Sequence, residues 1–288
     1  MDFELSLGSL RARAESFGGE LVSLQGADGA EYIWHGDAAY WSGRNPVLFP
    51  IVGRLRDGVT EFDGREYAMA QHGFARKCDF SVFAKGDDFI EFELRESEET
   101  LAQYPFPFSL RVRHQLHETG FTTSYRVENT GDAPMPFCIG AHTAFLCGAV
   151  EDYELVFSEK ETAPTMLLTS EGLISATETE PWLVDSDRFT PVYADFARLD
   201  TVIFEHLRST SVSLRHKESG RGVRVEYDDF PMLAFWTPGE KRAPFLCIEP
   251  WQGCAAVDNE GKAFTDKRHC VVLAVGEAKE FSYTVSIL

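Results

Sequence analysis

With 288 residues, 44% hydrophobic and 25% charged, the chain has the composition of a globular protein able to bury a large core. Lysine and arginine number 27 against 46 aspartates and glutamates, a formal charge of −19 that repels phosphate backbones and anionic lipid, so neither nucleic acid nor membrane is an expected partner. A small anionic ligand is not excluded, because a local pair of arginines outweighs a screened, distant field.

The first seven residues, Met1 to Leu7, carry no basic region leading into an apolar stretch, and no window reaches the length of a spanning helix. A cytoplasmic location is therefore the expectation. The first irregular segment is Asn45-Pro-Val-Leu-Phe-Pro-Ile-Val-Gly-Arg54, followed by Leu55 and Arg56. Two prolines and a glycine impose a rigid path that ends in paired arginines, which suits either a solvated surface loop or an anchor for a polar ligand. Gln71-His72-Gly73-Phe74-Ala75-Arg76 comes next, where glycine beside histidine suggests a close backbone approach next to a polar side chain.

Period-two alternation then takes over. Ile90 to Leu94, Leu110 to His117, Val223 to Tyr227 and Phe281 to Ile287 each place apolar residues on one face and polar residues on the other, the pattern of a half-buried antiparallel strand. Turn pairs separate these runs: Asp63-Gly64, Thr119-Gly120, Asn129 to Gly131, Ser219-Gly220 and Pro238-Gly239. The best helical segment is Ser97 to Tyr104, with Ser97 as the N-cap and Pro105 as the stop. That is too little helix for βαβ units, and no linker-like stretch divides the chain. The pattern predicts one all-β domain over residues 1–288, built of stacked, mainly antiparallel sheets.

Two further segments break the alternation. In Cys138-Ile-Gly140-Ala-His142-Thr-Ala-Phe145 a histidine lies among small and apolar residues, which desolvate it and favour its neutral form. In Pro244 to Trp251 an apolar run ends in Glu249, locked by Pro250. A buried carboxylate is costly unless paired, so Glu249 belongs to a satisfied polar network or lines a site. A carboxylate and a histidine facing one pocket are a base and an acid of complementary strength.

Metal binding is the competing use of two histidines and a carboxylate. His72, His142 and Glu249 are widely scattered with no HExxH-type pair, and His114 and His117, three apart in a strand, point to opposite faces. Neither a metal nor a cofactor is expected. No GxSxG-like elbow supports serine hydrolase chemistry. The six cysteines, Cys78, Cys138, Cys147, Cys247, Cys254 and Cys270, have no CxxC spacing and read as free thiols, most of them in apolar segments.

Taken together and in order, these segments resemble the aldose 1-epimerase (galactose mutarotase-like) family, in its LacX-like branch. The matching features are the Asn45–Arg54, Gln71–Arg76 and Ile139–Phe145 segments, Leu199-Asp200-Thr-Val-Ile-Phe204, and Cys247-Ile-Glu-Pro-Trp251. The resemblance implies a β-supersandwich with a sugar cleft on one face, acting without a cofactor as an isomerase that interconverts the α and β anomers of an aldose. It also implies that Glu249 is the general base, His142 the general acid, His72 a contact near the ring oxygen, Arg54 a substrate-binding arginine and Asp200 an acceptor for sugar hydroxyls. Trp251 and Trp236 would offer apolar faces to the pyranose, or serve as core. Thr143 departs from the family pattern, where proline commonly follows the acid histidine. Two other readings of the same scaffold remain open: a hexose-6-phosphate mutarotase using Arg54, Arg56 and Arg76, and a non-catalytic carbohydrate-binding protein.

Overall fold

The computed structural model describes residues 1–288, and nearly all of its regular structure is antiparallel β. One continuous sheet carries most of it. Twelve strands follow one another in hydrogen-bonded order: Ile139–Gly140, Phe245–Gln252, Met232–Trp236, Thr201–Glu205, Tyr153–Leu168, Ser211–His216, Gly222–Glu226, Ala278–Ile287, Gly120–Asn129, Phe108–His117, Phe89–Arg95 and Ser81–Lys85. Thr143–Leu146 adds to Phe245–Gln252, and Ile174–Phe189 adds to Tyr153–Leu168. A three-stranded sheet, Asp2–Leu7, Leu10–Glu15 and Glu20–Gln25, lies apart from this path. The all-β, mainly antiparallel expectation therefore holds.

The alternating runs form strands where their patterns place them. Phe108–His117 alternates buried and half-buried side chains and pairs with Gly120–Asn129 across a tight turn. Its one polar inward residue, His114, is fully satisfied: Nδ1 lies 2.9 Å from the Thr123 hydroxyl directly across the ladder, and Nε2 lies 2.9 Å from the Gly19 carbonyl oxygen. Burial pulls its pKa down to about 4, so it is a neutral core histidine.

The 16-residue strand Tyr153–Leu168 joins the two halves of the sheet. Its first part, Tyr153 to Phe157, pairs with Ser211–His216, while Met166 near its other end pairs with Ile203. Register shifts between Val156 and Leu168 bend it between these partners. The space enclosed is filled by rings. Phe49 lies 5.1 Å from Phe108 and 6.0 Å from both Tyr104 and Phe137, and all four are fully buried. Truncating one such ring to alanine typically costs about 3–5 kcal/mol.

Two helical details differ from the expectation. Ser97 does cap a helix, in a box with Thr100, but the helix runs only from Glu98 to Leu101. A second helix, Tyr193–Leu199, precedes Asp200 and has no side-chain cap, so no cap residue marks it in the sequence.

Candidate active site

The site grows from the strand Phe245–Gln252, buried along its length except at Gln252. Side chains two apart share a face of a strand, so Cys247, Glu249 and Trp251 point the same way. The neighbouring strand sets Ala234 opposite Glu249 and Trp236 opposite Cys247; beyond it Ile203 faces Ala234 and Thr201 faces Trp236. Ile203, Thr201 and Trp236 line the cleft together with Glu249 and Trp251.

The other side of Glu249 belongs to His142. Gly140 pairs with Trp251, and Thr143 pairs with Ile248. The register is continuous across the gap between these pairs, so His142 stands opposite Glu249. Pro250 has no N–H to continue the ladder there, and its carbonyl instead accepts from the Ala141 amide at 3.0 Å. The result is a His142 Nε2 to Glu249 Oε2 separation of 3.4 Å, with both residues buried. Gly140 is required beside them: a Cβ there would lie 2.7 Å from Cδ1 of Trp251.

Around this pair lies a cleft of about 600 Å³, lined also by Trp41, Arg54, Gln71, His72, Arg76, Leu168, Arg198, Asp200, Thr201, Ile203, Trp236 and Trp251. All six sequence-predicted residues, Glu249, His142, His72, Arg54, Asp200 and Trp251, therefore meet in one cavity. His72 is held in a left-handed conformation, φ 64°, by paired backbone contacts. Its amide donates to the Gly53 carbonyl at 2.8 Å, and the Gly53 amide donates to its Nδ1 at 3.1 Å. His72 Nε2 lies 3.2 Å from Nε2 of the Gln71 side chain. Gly73 lets the loop pass under Phe49, whose carbonyl oxygen would sit 2.2 Å from a Cβ at that position.

Asp200 ends the helix Tyr193–Leu199 with φ 65°, is exposed, and accepts a hydrogen bond from the Thr201 hydroxyl at 3.0 Å. Arg54 is also exposed and has no carboxylate within ion-pair distance. Arg76 donates to the Gln71 carbonyl at 2.8 Å.

Burial pushes both central groups towards their uncharged forms. It raises the Glu249 carboxyl well above its usual value, with the Trp251 indole opposing the rise and Asp200 adding to it. It pulls His142 down to about 3, with the Arg76 guanidinium acting the same way. Burial, then His142, Arg76 and Arg54, depress His72 well below its ordinary value. Three buried polar atoms at this end of the cleft lack a hydrogen-bond partner within the protein: His142 Nδ1, Glu249 Oε2 and Trp251 Nε1. Such atoms are rare in folded proteins away from functional sites.

Sequence reasoning missed several contributors. Trp41 stacks on His142, rings 4.8 Å apart and 27° from parallel, and Trp236 meets the same imidazole edge-on at 5.6 Å. No local pattern marks Trp41, which is held by a satellite cluster of Trp34, Phe245 and Trp236. Arg198 lines the cleft, while Arg56 does not: it donates to the Val257 carbonyl at 2.9 Å, away from the cavity. Of the trio expected for a phosphate, Arg54, Arg56 and Arg76, Arg56 is thus outside the cleft, at the start of a 3₁₀ turn that redirects the chain, and the third arginine lining it is Arg198, which is paired with Glu180. The scatter of the histidines was also a poor argument against a metal. Donor atoms of His142, Cys247 and Glu249 lie within 4.8 Å of one another. All six cysteines are free thiols, as expected, and four of them are buried.

A family model described as aldose 1-epimerase matches residues 1–285. The LacX proteins of Lactococcus lactis subsp. lactis, plasmid and chromosomal, are each 34% identical over 300 residues, covering all of both chains. Among solved structures, a galactose mutarotase related enzyme from Lactobacillus acidophilus superposes with a TM-score of 0.95 at 28% identity, covering 100% of this chain and 97% of that one. A galactose mutarotase-like protein from Lactobacillus casei ATCC 334 gives 0.93 at 27% identity, with full coverage of both chains.

Proposed function

Because the chain belongs to the aldose 1-epimerase family, we propose that it is a mutarotase in which Glu249 and His142 open and close the ring of an aldose without a cofactor. The observation that carries this reading is the buried His142–Glu249 pair, 3.4 Å apart at the base of a sugar-sized cleft.

Ring opening requires a proton to leave the anomeric hydroxyl while another reaches the ring oxygen. Glu249 as carboxylate takes the first, and His142, protonated on Nε2, gives the second. The C1–O5 bond breaks, its electron pair passing to O5, and C1=O1 forms. Rotation about C1–C2 then presents the other carbonyl face. In closure O5 attacks C1, His142 takes back the O5 proton, and protonated Glu249 returns its own to O1. The pair ends as it began, with one proton between its members, so nothing else need be supplied. Each such proton transfer is typically worth about 10²- to 10⁴-fold.

Burial works with this cycle. The ionic pair precedes opening and the neutral pair follows it, and a desolvated site favours the neutral arrangement. The ionic pair must first form from the favoured neutral one, and the opening step returns that cost. Arg54 and Asp200 at the rim and His72 beside His142 would bind sugar hydroxyls and the ring oxygen, while Trp41, Trp236 and Trp251 present apolar faces to the pyranose.

A second reading has an observation of its own. In a chain of charge −19, three arginines face one cleft, and Arg54 is free of any carboxylate. A hexose 6-phosphate is the substrate such a cation would favour. Polarimetry of freshly dissolved glucose, galactose and their 6-phosphates tests both readings. Acceleration that Glu249→Gln abolishes supports the mutarotase, and preference for the phosphorylated sugars selects the second form. Sugar binding with mutarotation left at the spontaneous rate would make the protein a non-catalytic carbohydrate binder.

A further inference from the structure

The strands that build the catalytic cleft carry a second constellation at their far ends. Glu205 closes the strand Thr201–Glu205, His206 follows it, and His269 lies in the loop after the last sheet contact of Gln252. Their donor atoms lie within 4.8 Å of one another, and none of the three lines the catalytic cleft. We propose that Glu205, His206 and His269 form a binding site for a divalent transition-metal ion of the Zn²⁺ class.

Two imidazoles and one carboxylate are an established ligand set for such ions, leaving a fourth position open. His269 Nε2 is 2.7 Å from Glu205 Oε1, and the two imidazole rings stand 5.1 Å apart and 84° from parallel. Both histidines are in the left-handed region, φ 53° and 58°, and both backbones are pinned. The His206 amide donates to the Pro231 carbonyl at 2.8 Å, and the Gln252 side chain donates to the His269 carbonyl at 2.6 Å. Arg268 Nη1 is 3.2 Å from Glu205 Oε2 and 3.5 Å from Oε1, so it orients the carboxylate chiefly through Oε2. Its positive charge also limits the affinity. The ion would bind the His269 Nε2 lone pair, any proton on that nitrogen passing to Nδ1 or to solvent.

Both histidines also line a separate cavity of about 440 Å³, together with Tyr227, Asp228 and Asp229. Tyr227 is only 4% exposed, yet its hydroxyl lacks a hydrogen-bond partner. A hydrated ion brings water to such a cavity and gives that hydroxyl a partner.

The test is titration of the full chain with Zn²⁺ by calorimetry and with Co²⁺ by visible absorption. Wild type, His206→Ala, His269→Ala, Arg268→Gln and His142→Asn would be compared, with circular dichroism to confirm folding. Binding should weaken at least tenfold in each alanine variant, tighten in Arg268→Gln, and persist in His142→Asn. Thermal unfolding of the wild type should rise with Zn²⁺, and that rise should shrink in the alanine variants. Absence of binding, wild-type affinity in both alanine variants, or loss confined to His142→Asn would overturn the assignment, the last by placing the ion on the His142, Cys247 and Glu249 donors.

Discussion

Glu249 is worth more to the reaction than to the fold. A carboxylate at 1% exposure has lost most of its hydration, and burial already drives it towards the protonated form. Glu249→Gln keeps the shape and removes the ionisable group. It should lower turnover by about 10²- to 10⁴-fold, while thermal unfolding occurs no earlier than in the wild type. A large loss of both activity and stability would instead mark the residue as structural. Arg54, at the rim, calls for a different signature. Arg54→Ala should raise KM and leave kcat within a few-fold, because the guanidinium binds the sugar without touching the protons that move.

The elements explain why those side chains meet, and how much of this could be read in advance. Strands were legible wherever one face is wet, as in Phe89–Arg95 and Phe108–His117, because alternation is then imposed by burial. Candidate residues were legible as exceptions, polar groups such as His142 and Glu249 embedded in apolar runs. The pairing of those two was not legible, since register depends on which strands become neighbours. Nor was Trp41, whose place on His142 is set by contacts with Trp34 and Phe245. Thr143 shows a third kind of miss. Its hydroxyl donates within a buried triangle, 2.7 Å from Asn45 Oδ1 and 3.0 Å from the Tyr283 hydroxyl, so this departure from the family's proline gains a tether beside His142. Thr143→Val should destabilise the protein by about 1–3 kcal/mol in denaturant titration. A neutral result would mean that the triangle contributes nothing net.

His114 gives the sheet a pH dependence of known sign. Its folded pKa, about 4, lies below the ordinary 6.5, so the unfolded chain takes up a proton that the folded chain refuses. Stability is complete above about pH 6.5 and falls as pH drops towards 4, a loss approaching about 3 kcal/mol. His142 acts in the same direction. Glu20, raised to about 7 by burial, acts oppositely, its contribution falling as pH rises from 4.5 towards 7. Comparison of His114→Asn with wild type cancels both backgrounds. The stability of the wild type relative to the variant should fall as pH drops from 6.5 to 4, and parallel profiles would refute the assignment.

At the scale of the whole molecule, the long strand Tyr153–Leu168 couples the site-bearing half of the sheet to the half formed by Phe108–His117 and its neighbours. On that basis we propose that residues 1–288 unfold as one unit. Four of the five tryptophans, Trp34, Trp41, Trp236 and Trp251, lie at or near the cleft, so their fluorescence reports that half, whereas far-ultraviolet circular dichroism reports every strand. Urea midpoints from the two probes should coincide, and separated midpoints would show two independently folding parts.

The most direct measurement is magnetisation-exchange NMR between the α- and β-anomeric protons of an aldose at equilibrium. Wild-type protein should produce exchange far above the spontaneous rate. Glu249→Gln and His142→Asn should each return it to near that rate, with their circular dichroism unchanged. Exchange at the wild-type rate in either folded variant would contradict a mechanism in which these two side chains carry the protons.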